Sequence, residues 1–210
     1  MYKKLDDNAK MLILETGIDE FAECGLDKAN INTIAKKAGV SVGVIYKYFG
    51  DKDSFFLACV RHSLDSLDEV LSEAVSHQND VETGMRCIVH SLIVHAAEHK
   101  NHNAMYNEIS SGGCKKYASA LAREIEGRTA RVYSQLLENA RQAGAVDSEL
   151  DSKCFAFFLD NLFMMLQFSY SCDYYRERMK IFCGEDISGD TEKMTESFMH
   201  FVKNALKIGN

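Results

Sequence analysis

The chain has no proline and no tryptophan, and its seven cysteines are scattered, odd in number and never spaced CxxC. With no proline and few β-branched runs, an all-helical chain punctuated by Gly, Asn and Ser is the economical reading. The cysteine pattern excludes a zinc or disulfide framework and fits free thiols in a reducing cytosol. The opening stretch, MYKKLDDNAK, has no apolar signal region, and no uncharged run is long enough to span a bilayer, so a soluble, cytoplasmic protein with no membrane partner is expected. Catalytic signatures are missing as well: no GxSxG, P-loop or dinucleotide fingerprint accompanies the many carboxylates, serines and histidines, which argues against an enzyme and against a cofactor. There is no internal repeat and no low-complexity tract.

What is present is a 210-residue chain with 46% apolar content, ample for a buried core, and a net charge of −7. That charge is unevenly divided. Residues 1–52 hold eight lysines and eight acids, so the rest of the chain carries the whole −7. Residues 28–50 go further, with Lys28, Lys36, Lys37 and Lys47 and no Asp or Glu. A local basic patch on an acidic protein points to nucleic acid more clearly than overall pI does.

The patch overlaps residues 31–52, INTIAKKAGVSVGVIYKYFGDK, which read as two short helices joined by a glycine-centred turn. Ile31, Ile34, Ala35 and Ala38 form one apolar stripe on the first helix, behind Asn30 as N-cap. Gly39 stops that helix, because a residue just past a helix end often needs φ > 0. Val40 can plug the corner and Ser41 can cap the second helix. There Val44, Ile45 and Phe49 share an inward face, leaving Val42, Gly43, Tyr46, Lys47 and Tyr48. That set suits DNA: lysine offers charge, tyrosine hydroxyls bond phosphate, and a small residue allows close approach to base edges. Asn30, Asn32 and Thr33 on the first helix are further candidates. Asp51 caps the next helix and puts Lys52 in its first turn, where free amides and positive potential make a phosphate clamp. An ordinary helical hairpin is the bland alternative, and the charge distribution opposes it.

From Ile13 to Phe55 this stretch resembles the DNA-binding domain of the TetR family of bacterial one-component transcriptional regulators. The resemblance is carried by Phe21-Ala22, Gly25, Ile34-Ala35, Ala38-Gly39-Val40-Ser41, Gly43, Ile45-Tyr46, Tyr48-Phe49 and Lys52. Gly17 departs from the alanine usual in the family, at a helix-propensity cost of about 1 kcal/mol or in exchange for closer packing. The resemblance implies an all-α fold of about nine helices. An N-terminal three-helix DNA-binding domain over residues 1–52 is followed by a larger ligand-binding and dimerisation domain over residues 53–210. It also implies a homodimer that binds double-stranded operator DNA, usually as a repressor, and is released by a small-molecule effector.

The remaining pattern is helical. Helix one runs from about Asp7 to Cys24 with Ile13, Gly17 and Phe21 inward, and Lys3 and Lys4 ahead of it are candidates for a minor groove. Phe55 to Leu71 carries a continuous apolar stripe, and in the family movement of this connector transmits ligand binding. Helix seven, about Lys115 to Ala143, is expected to turn Leu121, Ile125, Val132, Leu136 and Ala140 inward. Helix eight, CFAFFLDNLFMMLQFSY, is apolar on nearly all sides and so needs burial on more than one face. The family's use of its last two long helices for dimerisation makes Phe158, Asn161, Met165, Phe198, Phe201 and Val202 interface candidates. Its pocket implies Tyr106, Tyr133, Phe163 and Gln167 as effector candidates, although such aromatics also make ordinary cores. The acidic balance of residues 53–210 favours an uncharged or cationic, largely apolar effector.

His95, His99 and His102 would face one metal on a continuous helix, but His99-Lys100-Asn101 reads as a helix end, so no metal is assigned. Two rivals remain: a metal- or redox-sensing regulator of the same fold, and a helical interaction protein that does not bind DNA.

Overall fold

The computed structural model describes residues 5–76, 81–109, 112–142, 144 and 151–206; the tail lysines Lys3 and Lys4 lie outside them. Among the described residues there are eleven α-helices and no strand: α1 (Asp7–Lys28), α2 (Ile31–Lys37), α3 (Val42–Phe49), α4 (Lys52–Ser76), α5 (Val81–Glu98), α6 (Lys100–Glu108), α7 (Ala118–Gln142), α8 (Ser152–Ser171), α9 (Asp173–Cys183), α10 (Glu185–Ser188) and α11 (Thr191–Leu206). A 3-10 turn at Gly112–Tyr117 precedes α7. The count exceeds the expected nine because α9 and α10 form where the sequence offered mainly polar residues and a glycine-rich break.

The chain packs as two units. The first comprises Met1–Ser66 and Asn101–Ser119, the second Leu67–Lys100 and Ala120–Asn210. The expected boundary at residue 52 therefore falls inside the first unit.

In the first unit, Asp6 caps α1 by accepting from the Ala9 amide at 2.8 Å. Gly25 interrupts that helix with φ 70°, and a last turn follows through Lys28, beyond the expected end at Cys24. The core is built on Ile13, Ile18, Phe21, Ile34, Ile45, Phe55 and Phe56, all fully buried. The Phe21 ring meets Phe56 edge-on at 5.1 Å and Phe55 at 5.8 Å, geometries that aromatic quadrupoles favour. At Gly17 a Cβ would stand 2.6 Å from Phe55 Cζ and 2.8 Å from Cys59 Sγ. Close packing of α1 on α4 is what this glycine supplies.

In the second unit, α5 packs on α8 and α11, and α9 on α8. Leu71, Met85, Ile88, Leu92, Tyr133, Leu159, Phe163 and Val202 share one apolar core. Polar ties cross its surface, Arg128 donating to Asp68 at 2.7 Å and Lys203 to Glu82 at 2.9 Å. The buried face of α7 is Leu121, Ile125, Thr129, Tyr133, Leu137 and Ala140. This corrects the expected face, since Val132 and Leu136 are only half-buried.

Candidate nucleic-acid interface

The helix-turn-helix is assembled from local signals and one buried acid. Asn30 caps α2, its Oδ1 accepting from the Asn32 amide at 2.9 Å and from the Asn32 side chain at 3.1 Å. Gly39 takes φ 69° in the turn, where the Val40 amide donates back to the Ala35 carbonyl at 2.9 Å. Ser41 holds the N-cap position of α3, but its side chain makes no capping bond, contrary to expectation. Glu20 is the piece that sequence reading missed. It is buried on α1, accepts from the Asn30 amide at 3.0 Å and lies 3.6 Å from Lys37 Nζ. One carboxylate thus ties α1 to both ends of α2. An acid inside a helical stripe looks exposed in sequence, and no pattern flags its burial.

On α3, Ile45 is buried while Gly43, Tyr46 and Lys47 are exposed and Val42 and Tyr48 half-buried. The helical period puts Gly43 and Lys47 on the side away from Ile45 and Phe49, with Tyr46 at its edge, whereas Val42, the first residue of the helix, lies on the same side as Phe49. The Phe49 ring rests 5.0 Å from Phe55. Lys47 Nζ sits 5.5 Å over the Tyr48 ring, and the Tyr48 hydroxyl accepts from the Leu5 amide at 2.9 Å. That hydroxyl keeps its own proton to donate. Of the α2 candidates, Asn32 is exposed and Thr33 half-buried. Asp51 caps α4 by accepting from the Ser54 amide at 2.7 Å, and this bond holds its carboxyl below the ordinary value. Lys52 Nζ donates to the Asp27 carbonyl at 2.9 Å. An ammonium has three donors, so this bond anchors the lysine and leaves two for a phosphate.

Residues 101–119 brace this head within the same unit. Asn101 donates to Asp19 at 2.6 Å. Asp53 accepts from Lys116 and, at 2.7 Å, from the Tyr117 hydroxyl, which together lower its pKa. Glu15 on α1 joins His62 of α4 at 2.7 Å and His102 of α6 at 3.0 Å. His102 is thereby committed to α1, and α5 ends at Glu98 before α6 begins at Lys100, so the histidine register breaks where expected. His95 and His99 keep their rings 4.7 Å apart. Among the described residues no three His, Cys, Asp or Glu side chains are arranged to hold a metal ion.

Residues 13–59 match the family model for bacterial regulatory proteins, tetR family. Across 72% of this chain and 78% of the relative, the sequence is 27% identical to the HTH-type transcriptional regulator BetI of Pseudomonas paraeruginosa. Residues 13–59 thus form a DNA-binding domain of the TetR family. The HTH-type transcriptional repressor AcnR of Corynebacterium glutamicum is 38% identical over 31% of this chain and 35% of its own. Among solved structures, the TetR fold is matched by FadR from Bacillus subtilis, determined with stearoyl-CoA, at TM-score 0.74, with 16% identity over 91% of this chain and 96% of that one. A TetR family regulator from Chloroflexus aurantiacus matches at TM-score 0.67, with 17% identity over 96% and 94%.

Outside residues 13–59 the remaining candidates fall into distinct settings. Tyr133 and Phe163 are core residues with rings 5.1 Å apart, and Gln167 is buried and donates to the Phe163 carbonyl at 3.4 Å. Tyr106 is half-buried and belongs to the first unit. Phe158 and Phe201 are exposed, at 59% and 58%, as are Phe157 and Leu162. Asn161 donates to its own helix at the Phe157 carbonyl and is half-buried, like Met165. Val202 is buried and Phe198 stacks on Phe163 at 5.5 Å; both pack on the core of the second unit. No described helix is long and apolar enough to cross a membrane.

Proposed function

We propose that this chain is a ligand-responsive transcriptional repressor that binds operator DNA as a homodimer and is released by a small, largely apolar effector. The division of labour is residues 1–52 for DNA and 53–210 for ligand and dimer. The observation that carries the reading is the exposed face of α3, where Gly43, Tyr46 and Lys47 stand clear of the core, in a segment that matches the family model. Val42 and Gly43 face bases, Lys47 meets phosphate or a base edge, and Tyr46, Tyr48 and Lys52 hold phosphates. Asn30, Asn32 and Thr33 flank the same surface. The exposed Phe158 and Phe201, with Asn161 and Met165 beside them on α8, form the dimer face, since apolar surface of this kind marks an interaction site.

Two features support ligand release over sensing by thiols. FadR, similar in fold, was solved with stearoyl-CoA, and relatives in sequence are named transcriptional regulators. The Cys59 and Cys172 thiols are pushed up by burial, and that of Cys154 by its hydrogen bond to Asp151. A raised thiol is a poor nucleophile at neutral pH, the opposite of what a redox sensor needs. A gel-shift titration of the DNA upstream of its own gene tests the reading. Specific retardation abolished by Lys47→Ala with Tyr46→Ala is expected; no retardation at micromolar protein and low salt would leave only a helical interaction protein.

A further inference from the structure

Between α7 and α8, inside the second unit, lies a cleft of about 700 Å³. Glu126 and Thr129 line it from α7, and Ala156, Phe157, Asp160 and Met164 from α8. None of Tyr106, Tyr133, Phe163 or Gln167 is among its lining residues. Its size is that of a site for a drug-sized molecule. Much of its wall is apolar, and its polar groups are unusual for such a wall.

Thr129 is 8% exposed, and its hydroxyl is buried without a hydrogen bond of good geometry. It lies against the Asp160 carboxyl, close enough to temper that group's pKa. Asp160 is nevertheless raised to about 6, first by burial and then by the neighbouring Glu126 carboxylate. Asp160 is therefore largely ionised at pH 7.5 in a partly desolvated cleft, beside a second carboxyl that disfavours its charge. The other charged groups lining the cleft are Arg131 of α7 and Lys153 of α8. Both are exposed, and Arg131 is occupied with the Gly127 carbonyl at 2.9 Å.

A bound cation would relieve the repulsion, and the apolar wall would take the remainder of such a molecule. Two carboxylates and a hydroxyl converge as acceptors, which suits a cation that carries N–H donors. A quaternary ammonium would want an aromatic cage, and among the described residues Phe157 is the single aromatic in the lining. An anionic effector would meet Asp160 and Glu126 directly.

We propose that the α7–α8 cleft is the effector site and that its ligand is a protonated primary or secondary amine carrying an apolar body, held by Asp160, Glu126 and Thr129. As an effector site it rests on the regulator reading above; as a binding site it stands alone.

Calorimetric titration of the full chain at pH 7.5 with 4-phenylbutylamine, 4-phenylbutanol and 4-phenylbutanoate tests it. The amine should bind at least roughly tenfold more tightly than the alcohol, a ratio expected of a charge-assisted hydrogen bond, and the carboxylate should not bind. Asp160→Asn should remove that preference while leaving the melting temperature unchanged or higher, because a buried charge is gone. Should that variant not fold, Glu126→Gln is read in its place, with a smaller loss of preference expected. Equal binding of amine and alcohol, binding of the carboxylate, no amine binding, or an unchanged preference in the variant that folds would each overturn the site. A parallel gel shift separates the two readings. Amine binding by a protein that retards no DNA overturns the regulator and leaves the amine site, whereas retardation without amine binding does the reverse.

Discussion

Gly17 and Glu15 show how single positions on α1 carry the first unit. In an isolated helix Gly17→Ala would gain about 1 kcal/mol of propensity. Here the new methyl would stand 2.6 Å from the Phe55 ring, and Phe55 is fully buried and held between Phe21 and Phe49. Overpacking of this kind costs about 1–3 kcal/mol, so the steric term wins. A net loss of about 1 kcal/mol is expected, read as a lower midpoint in urea. Glu15 makes an electrostatic prediction. Burial pushes its carboxyl up, but the hydrogen bonds from His102 and His62 outweigh burial and leave the pKa below the ordinary 4.5. A depressed carboxylate contributes stability that is full above the unfolded value and is lost as pH falls through the lowered folded value. Stability attributable to Glu15 should therefore be flat from neutral pH down to the ordinary carboxylate range and decline below it. Glu15→Gln should flatten that acid limb in urea melts taken across pH; an unchanged limb would show that other carboxylates carry it.

At the scale of elements, the proposed contact of Lys52 on α4 with a phosphate is the sharpest test of the interface. Lys52 is held by the Asp27 carbonyl at the start of that helix, so its ammonium is positioned before DNA arrives. Lys52→Ala should weaken binding to every sequence alike and lower the salt slope by roughly 1. An unchanged affinity and slope would show that the bond to Asp27 is its whole role. The elements also show what could be read in advance. Asn30, Gly39 and Asp51 were legible because caps and turns are local chemistry, and the Ile34, Ile45 and Phe55 positions because periodicity reports burial. Ser41 was legible in backbone only, since whether its hydroxyl bonds an amide depends on a rotamer. The α7 face was misread for a different reason: Val132 and Leu136 are more apolar than Thr129, yet geometry buries Thr129 and Tyr133. Glu20 and the bracing by residues 101–119 were not legible at all, because each depends on a partner distant in sequence.

For the whole molecule, the proposed function requires that a ligand in one unit alter DNA binding by another. Two heads on one dimer must meet half-sites about 34–36 Å apart, or wider on a longer operator. A ligand releases DNA only if it prefers a dimer whose heads are spaced differently, since equal affinity for both states shifts nothing. The α4 helix contributes Lys52–Ser66 to the first unit and its remaining residues to the second, which makes it the continuous element through which such a preference can act. The dimer must then survive ligand binding. The exposed Phe158 of α8 and Phe201 of α11 are proposed to hold it, so replacing both with Glu should give a monomer whose melting temperature is little changed, because neither side chain is buried in its own subunit. Operator affinity should fall in that monomer, since a single head loses the second half-site. In the parent protein, ligand should weaken operator binding by about 1–3 kcal/mol while sedimentation still reports a dimer. If ligand instead splits the dimer, or if the parent chain sediments as a monomer at micromolar concentration, respacing of paired heads is not how this protein releases DNA.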